Sequence, residues 1–451
     1  MELDLDYRLC GPSGETLESA QARARVGAQD LSLTPAAGVP LVLPWREIVR
    51  LEPLDYQVVI ETSGGEALRL SSLGYRFEDF LRAAAQRRNE ALIKDLLMDE
   101  PLKKSGIEAE YALGPEKGRC ELRLYETALL VVPEAAGLKR VPFRDIARVE
   151  RADAAVRVLL ESGGELVLSQ LGTRCDLFAD GLGAGLSGML GFGQKVVKEL
   201  LPDLDALSLR KASAALKEGR LFTAAALSRI CPGLQEGFER KLRSLPDSGR
   251  DFEVLTSLGR KGRLCWGFKK GLAGALSGDY SIYLVPFYGP DQGPRGDAVA
   301  METVPAQAPA PGEPKAAGRA TYFFRLCPRP EFAALSRPQD CDAKLEEFVA
   351  LFNRCMSAVN FRRAPVFATD EMLRQPKYAP YRHAVASLPE LRVLRGLFIG
   401  RVIHSEPEAW AAGVKSLLEF NASCPDEAAK WRPGSGSGAA GAPKDEGPEE
   451  G

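Results

Sequence analysis

The ten residues "LPWREIVRLE" at 43–52 return, little altered, as "VPFRDIARVE" at 141–150. Pro44 aligns with Pro142, a shift of 142 − 44 = 98, and Leu73-Gly74 aligns with Leu171-Gly172, again 171 − 73 = 98. Between these anchors "VVIETSGGEALRLSSLG" and "VRVLLESGGELVLSQLG" match with a one-residue slip at the turn. Upstream, "MELDLDYRL" pairs with "IEAEYALGP", and "DLSLTPAAGVPLVLP" with "ALLVVPEAAGLKRVP". A match of this reach is a duplicated domain, and any fold assigned to the first copy must also suit the second.

Each copy has the signals of a small antiparallel sheet. Val58 and Ile60 alternate with polar neighbours, a Ser-Gly-Gly turn follows, and Leu68 and Leu70 resume the period of two. Val156, Val158 and Leu160 do the same before Gly163-Gly164. Pro44 and Pro142 can each close a strand without removing a central ladder donor. Trp45 and Phe143 then plug the core, each ring burying on the order of 150–250 Å², with Val49 and Leu51 inward and Arg50 and Glu52 outward. The shared phrase is structural. After the last strand, "YRFEDFLRAAAQRRNEALIKDLL" places Phe77, Phe80, Leu81 and Ala84 at helical spacing.

This order, "PWREI" or "PFRDI" feeding a strand, a tight hairpin and then "FEDFL", resembles the pleckstrin-homology-like superfamily, particularly its bacterial members. The resemblance spans roughly the first 200 residues and implies two seven-stranded, partly open β-barrels, each capped by a C-terminal helix. It does not imply lipid binding, since many such domains bind peptides or other proteins. The second helix departs from the first: "CDLFADGLGAGLSGMLGFGQKVVKELL" carries Gly181, Gly183, Gly185, Gly188, Gly191 and Gly193. Each interior glycine costs a helix about 1 kcal/mol relative to alanine, so this helix is either broken or packed closely on another backbone. Gly183, Gly185 and Gly188 have the spacing of a dinucleotide-binding turn, but no buried parallel strand precedes them.

The fold class expected is α+β: PH-like copies at 1–98 and 99–200, a helical connector at 201–247, an α+β domain at 248–430 and a disordered tail at 431–451. In the α+β domain "CWGFKKGLAGAL", "YSIYLVPFYG" and "ATYFFRLC" read as strands. A Pro/Ala/Gly-rich stretch near 289–318 reads as a mobile insertion, in which "DAVAMETV" adds at most one strand. "CDAKLEEFVALFNRCMSAVNF", "YAPYRHAVASLPELRVLRGLFIGRVIH" and "EAWAAGVKSLLEFN" read as helices with apolar stripes.

Lys and Arg total 59 against 61 for Asp and Glu, so no global field recruits nucleic acid, and no nucleic-acid partner is expected. Nine scattered cysteines without a two-residue spacing read as reduced thiols in a cytoplasm. The start "MELDLDYRLC" carries acids where a secretory signal would carry bases, and it does not read as one. Only His383 and His404 are available for metal or base chemistry, and no catalytic, cofactor or metal residues are assigned. His383 reads as a helix-surface residue, Cys355 with His404 has no local support, and Ser208 with Lys211 reads as a solvated helix face.

The surface candidate is an anionic-ligand patch in "GRKGRLCWGFKK": Arg260, Lys261, Arg263, Trp266, Lys269 and Lys270. Arg87, Arg88 and Lys94 form a weaker one. The leading expectation is a non-catalytic cytoplasmic scaffold that recognises a protein or peptide, an exposed barrel edge accepting an extended peptide. The alternatives are a peripheral membrane or phosphate-headgroup binder acting through the patch, and an enzyme in the C-terminal half.

Overall fold

The computed structural model describes residues 1–97, 100–152, 155–271, 278–288, 296–306, 319–335, 337–375 and 378–433. The chain forms two compact units. The first holds Met1–Ser187, Ala358–Asn360 and Ala368–Pro389; the second holds Gly188–Ser357, Phe361–Phe367 and Glu390 onward.

In the first unit, β1 (Glu2–Cys10), β2 (Thr16–Val26), β3 (Asp30–Pro35), β4 (Leu41–Pro44), β5 (Ile48–Leu54), β6 (Gln57–Thr62) and β7 (Ala67–Ser71) precede helix α1 (Phe77–Leu97). The second copy repeats this with β8 (Leu102–Leu113), β9 (Glu116–Tyr125), β10 (Ala128–Pro133), β11 (Lys139–Pro142), β12 (Ile146–Ala152), β13 (Ala155–Leu160), β14 (Glu165–Ser169) and α2 (Cys175–Leu200). The two antiparallel sheets share one strand order, β4-β3-β2-β1-β7-β6-β5 and β11-β10-β9-β8-β14-β13-β12.

The equivalence reaches individual bonds. Ser63 N–H donates to Glu47 O and Glu161 N–H to Asp145 O, both at 2.8 Å, and the edge strands carry a bulge at Ile48/Arg50 and at Ile146/Arg148. The hairpin turns are also equivalent without a slip, because Thr62 N–H bonds Glu66 O and Leu160 N–H bonds Gly164 O. The residues needing positive φ are Gly65 (92°) and Gly163 (85°), the second glycine of one pair and the first of the other. β1 and β8 align as Tyr7 with Tyr111, both paired to the equivalent leucine, Leu70 or Leu168. That shift, 111 − 7 = 104, differs by two residues from an end-to-end match and leaves every side chain on its original face.

α1 serves both copies. Phe80, Leu81, Ala84 and Ala85 close its own core, while Ile93 packs with Tyr125, Leu130 and Val132. Asn89, fully buried, donates to Ala136 O at 2.9 Å and Pro133 O at 3.3 Å. Coverage by α1 explains why β10 is buried throughout, whereas β3 alternates. α2 is an unbroken helix of 26 residues. A Cβ at Gly185 would lie 2.3 Å from the Phe143 ring and one at Gly181 2.8 Å from Leu124, but Gly183, Gly188 and Gly191 face open space.

The second unit adds α3 (Ala206–Ala215), β15 (Arg220–Thr223), α4 (Ala224–Ile230), α5 (Leu234–Arg243), α6 (Pro246–Leu258), β16 (Cys265–Lys269), β17 (Tyr280–Pro286), β18 (Ala298–Pro305), β19 (Ala320–Arg325), α7 (Arg329–Ala333), α8 (Pro338–Ala358) and α9 (Ala364–Phe367). After α10 (Asp370–Leu373) and α11 (Ala379–Ser387) in the first unit come α12 (Pro389–Leu397), β20 (Phe398–Ile403) and α13 (Pro407–Ser423). Its six antiparallel strands run in sequence order, β15 to β20. Phe238 of α5, Phe252 of α6 and Trp410 of α13 share a core with Trp266 and Tyr283, while Phe348 and Phe352 of α8 pack on Phe324. Burial on both faces is why β16 and β19 are continuous apolar runs rather than alternating ones.

Four expectations change. The segment 201–247 is not a separate connector: β15 is a strand of the sheet, and Leu209, Leu227, Leu234 and Phe238 join its core. "DAVAMETV" is a central strand, β18, paired on both sides; 289–295 and 307–318 lie outside the described residues. "FIGRVIH" is not helical, since Phe398–Ile403 pairs with β19. Trp431, assigned to the tail, is buried and donates its N–H to Ile399 O at 2.9 Å, and 434–451 lie outside the described residues. All nine cysteines are unpaired, and no described helix is long and apolar enough to cross a membrane.

Candidate functional site

The first copy holds a helix against its edge. α11 packs on α1, on β5 and on the 3-10 turn Trp45–Glu47. Arg88 of α1, 7% exposed, turns its guanidinium onto the bulge, Nε donating to Ile48 O at 3.1 Å and Nη2 to Val49 O. Two backbone acceptors of an edge strand are thereby satisfied by a cation. Burial, with no carboxylate among the described residues to compensate it, lowers the Arg88 pKa to about 10.

His383 of α11 is 6% exposed rather than on a helix surface. Burial first, and then Arg88, push its pKa down to about 4, against a hydrogen bond at the Ile48 backbone. The ring is therefore neutral at ordinary pH, which is what a seat beside a guanidinium requires. Arg382 reaches Glu47 at 3.5 Å and fixes the helix at the turn. In the second copy Leu186 stands where Arg88 stands, 186 − 88 = 98, so the guanidinium that donates to the bulge of β5 has no counterpart at that position of α2. Two copies of one sheet thus present different edges. Arg87 is exposed, so Arg87 and Arg88 do not form a patch, and the Lys94 side chain lies outside the described residues.

The six-residue basic patch does not converge on one surface. Trp266 is fully buried, stacked on Phe238 at 5.3 Å. Lys269 is 1% exposed, its ammonium 3.2 Å from Glu218 and 5.9 Å from the centre of the Phe361 ring. Arg263 pairs with Asp342 at 2.7 Å, Arg260 lies over Tyr288, Lys270 is half-buried, and Lys261 is exposed. The strand that carries Trp266 and Lys269 is buried on both faces, so their side chains are not part of a surface.

His404 lies in a polar network. Its Nε2 is 3.0 Å from Glu302 and its Nδ1 3.3 Å from Asp251, while Arg319 bridges the same two carboxylates at 3.1 and 2.9 Å. Thr321 donates to Glu302 at 2.6 Å and accepts from the Trp410 indole at 3.1 Å. Burial opposes the charged ring, but Glu302 and Asp251 outweigh it and hold the His404 pKa above its ordinary value. Burial likewise opposes the Glu302 charge, and Arg319 and His404 overcome it, lowering that pKa. Both ring nitrogens are engaged by carboxylates, which leaves neither for a nucleophile. Cys355 is buried, which raises its thiol pKa to about 12. Ser208 sits in the first turn of α3, capped by Asp205, and Lys211 is exposed.

No protein-family model matches the chain, and no curated protein sequence matches it significantly.

Proposed function

We propose that the chain is a non-catalytic scaffold protein of the cytoplasm, built on two PH-like domains, that recognises a protein partner through the groove between α1 and β5. The shared seven-strand order and the closing helix of each copy support the PH-like reading. The observation that carries the binding role is α11: a short helical segment from far along the sequence lies on α1, β5 and the turn between β4 and β5. A groove that holds a helix of this chain has the shape and the polar anchors to hold one from another chain. The exposed edge β12 offers a second, differently built surface to an extended peptide.

The test replaces 378–389 by a Gly-Ser linker of equal length in the full chain and titrates it with a fluorescein-labelled peptide of sequence 378–389. Saturable binding that weakens when Arg88→Ala is added supports the reading. No anisotropy change, with circular dichroism matching that of the natural chain, overturns it.

A further inference from the structure

We propose that the outer face of the first copy carries an anion-binding cleft, suited to a phosphate group, that the second copy lacks. β1 and β7 set Arg8 directly opposite Arg69. Both are exposed, on the face opposite that of the buried Tyr7, Leu68 and Leu70. Like charges at facing cross-strand positions repel, yet among the described residues neither guanidinium meets a hydrogen-bond or ion-pair partner. The two line a cleft of about 360 Å³. Its floor is the cross-strand pair Cys10 and Ala67, and its wall is formed where Pro12 of one hairpin turn meets Gly65 of another, 3.5 Å from where a Cβ of Gly65 would stand. Glu61 lines the rim and is 3.5 Å from Arg50, and the Glu15 carboxylate lies over Gly11 at the edge of the cleft.

The core-facing side of the same strands is unsuited to an anion, because Glu18, opposite Leu9, places a carboxylate there that accepts a hydrogen bond from the Tyr7 hydroxyl. The duplicated copy provides an internal control. Positions 8 and 69 correspond to Ala112 and Val167, which face each other in the same register. The shifts are those of their neighbours, 112 − 8 = 104 and 167 − 69 = 98. Both cations are absent together from a copy that keeps the fold, so the strands do not need them. Two adjacent guanidinium groups, each with five donors and a fixed charge, match the several oxygens of a phosphate. The group could be free phosphate or a phosphate headgroup in a lipid.

The test uses the full chain with inorganic phosphate, followed by calorimetry, and with phosphatidylcholine vesicles with and without phosphatidic acid, followed by sedimentation. The variant Arg8→Ala/Arg69→Val copies the second copy's residues, so it should retain the natural urea midpoint. The natural chain should bind phosphate, and the variant should lose about tenfold or more in affinity, the scale of lost charge-assisted bonds. Sedimentation with acidic vesicles, lost in the variant, assigns the lipid headgroup; phosphate binding alone assigns the free ion. If the natural chain binds neither, or binds as the variant does, the proposal fails. Arg8→Gln alone, with an intermediate loss expected, guards against a misfolded double variant.

Discussion

Trp45 and Phe143 occupy one position in two copies of one framework. Each follows a proline at φ −61°, opens a 3-10 turn and is at most 1% exposed. Their backbone N–H groups bond Gln29 O at 3.1 Å and Thr127 O at 2.8 Å, sixteen residues upstream in both cases, 45 − 29 = 143 − 127 = 16. They differ in what lies above the ring: Phe143 meets Gly185, whereas Trp45 donates its indole N–H to Gly27 O at 3.2 Å.

Trp45→Ala and Phe143→Ala should each destabilise the first unit by about 3–5 kcal/mol, the usual cost of emptying a buried aromatic site. Phe143→Trp should also destabilise, by about 1–3 kcal/mol, since the closeness of α2 at Gly185 leaves no room for the larger ring. Urea titrations of the single variants check both.

The glycines of α2 should give opposite signs on one helix. Gly183→Ala, Gly188→Ala and Gly191→Ala meet nothing and should each stabilise by about 0.5–1 kcal/mol. Gly185→Ala places a methyl group against Phe143 and should raise the unfolding rate and lower the urea midpoint.

Lys269→Glu should unfold the second unit rather than alter a surface. It would set a carboxylate against buried Glu218, at a cost of about 3–5 kcal/mol for a broken buried pair. Lys261→Glu, at an exposed site, should stay within about 0.5 kcal/mol of the natural chain. Thermal melts of the two variants distinguish a core position from a patch.

The stability of the second unit should fall on the alkaline side. The His404 pKa is raised above its ordinary value of 6.5, so its contribution is complete below that value and disappears as pH rises through the folded pKa. Glu302, with a lowered pKa, contributes above its unfolded value of 4.5 and loses that contribution as pH falls through its folded pKa. His404→Phe should flatten the alkaline limb, and Glu302→Gln should cost about 3–5 kcal/mol. Urea midpoints across pH check both.

The duplication was legible because its signals are local: a proline, an aromatic ring, an isoleucine and a Leu-Gly pair at a constant shift. Other features depend on distant partners. Lys269 is paired with Glu218 across 51 positions, and the His404 network joins residues as far apart as Asp251. Phe398–Ile403 looked helical because the apolar run of α12 continues into it without a break. β10 did carry a local signal, since "ALLVVP" lacks the alternation of "DLSLTP", the mark of a strand covered on both faces. Nothing in "PYRHAV" distinguishes α11 from a surface helix; its burial is set by Arg88 and β5, far away in sequence.

Acid should release α11. The His383 pKa falls from 6.5 to about 4 on burial, so the released state binds more protons in that window, and the seated state weakens as pH drops through it. Trypsin cleavage after Arg382 should therefore speed up between pH 6.5 and 5, and His383→Phe should suppress the change.

The most direct measurement is hydrogen–deuterium exchange of the full chain with and without His383→Lys, which sets a fixed positive charge beside the buried Arg88 guanidinium in the seat of α11. Exchange should rise in α11 and at Ile48–Leu54 while Ile146–Ala152 is unchanged, because only the first copy is covered by that helix. An equal rise in both edge strands, or none in either, would contradict the account.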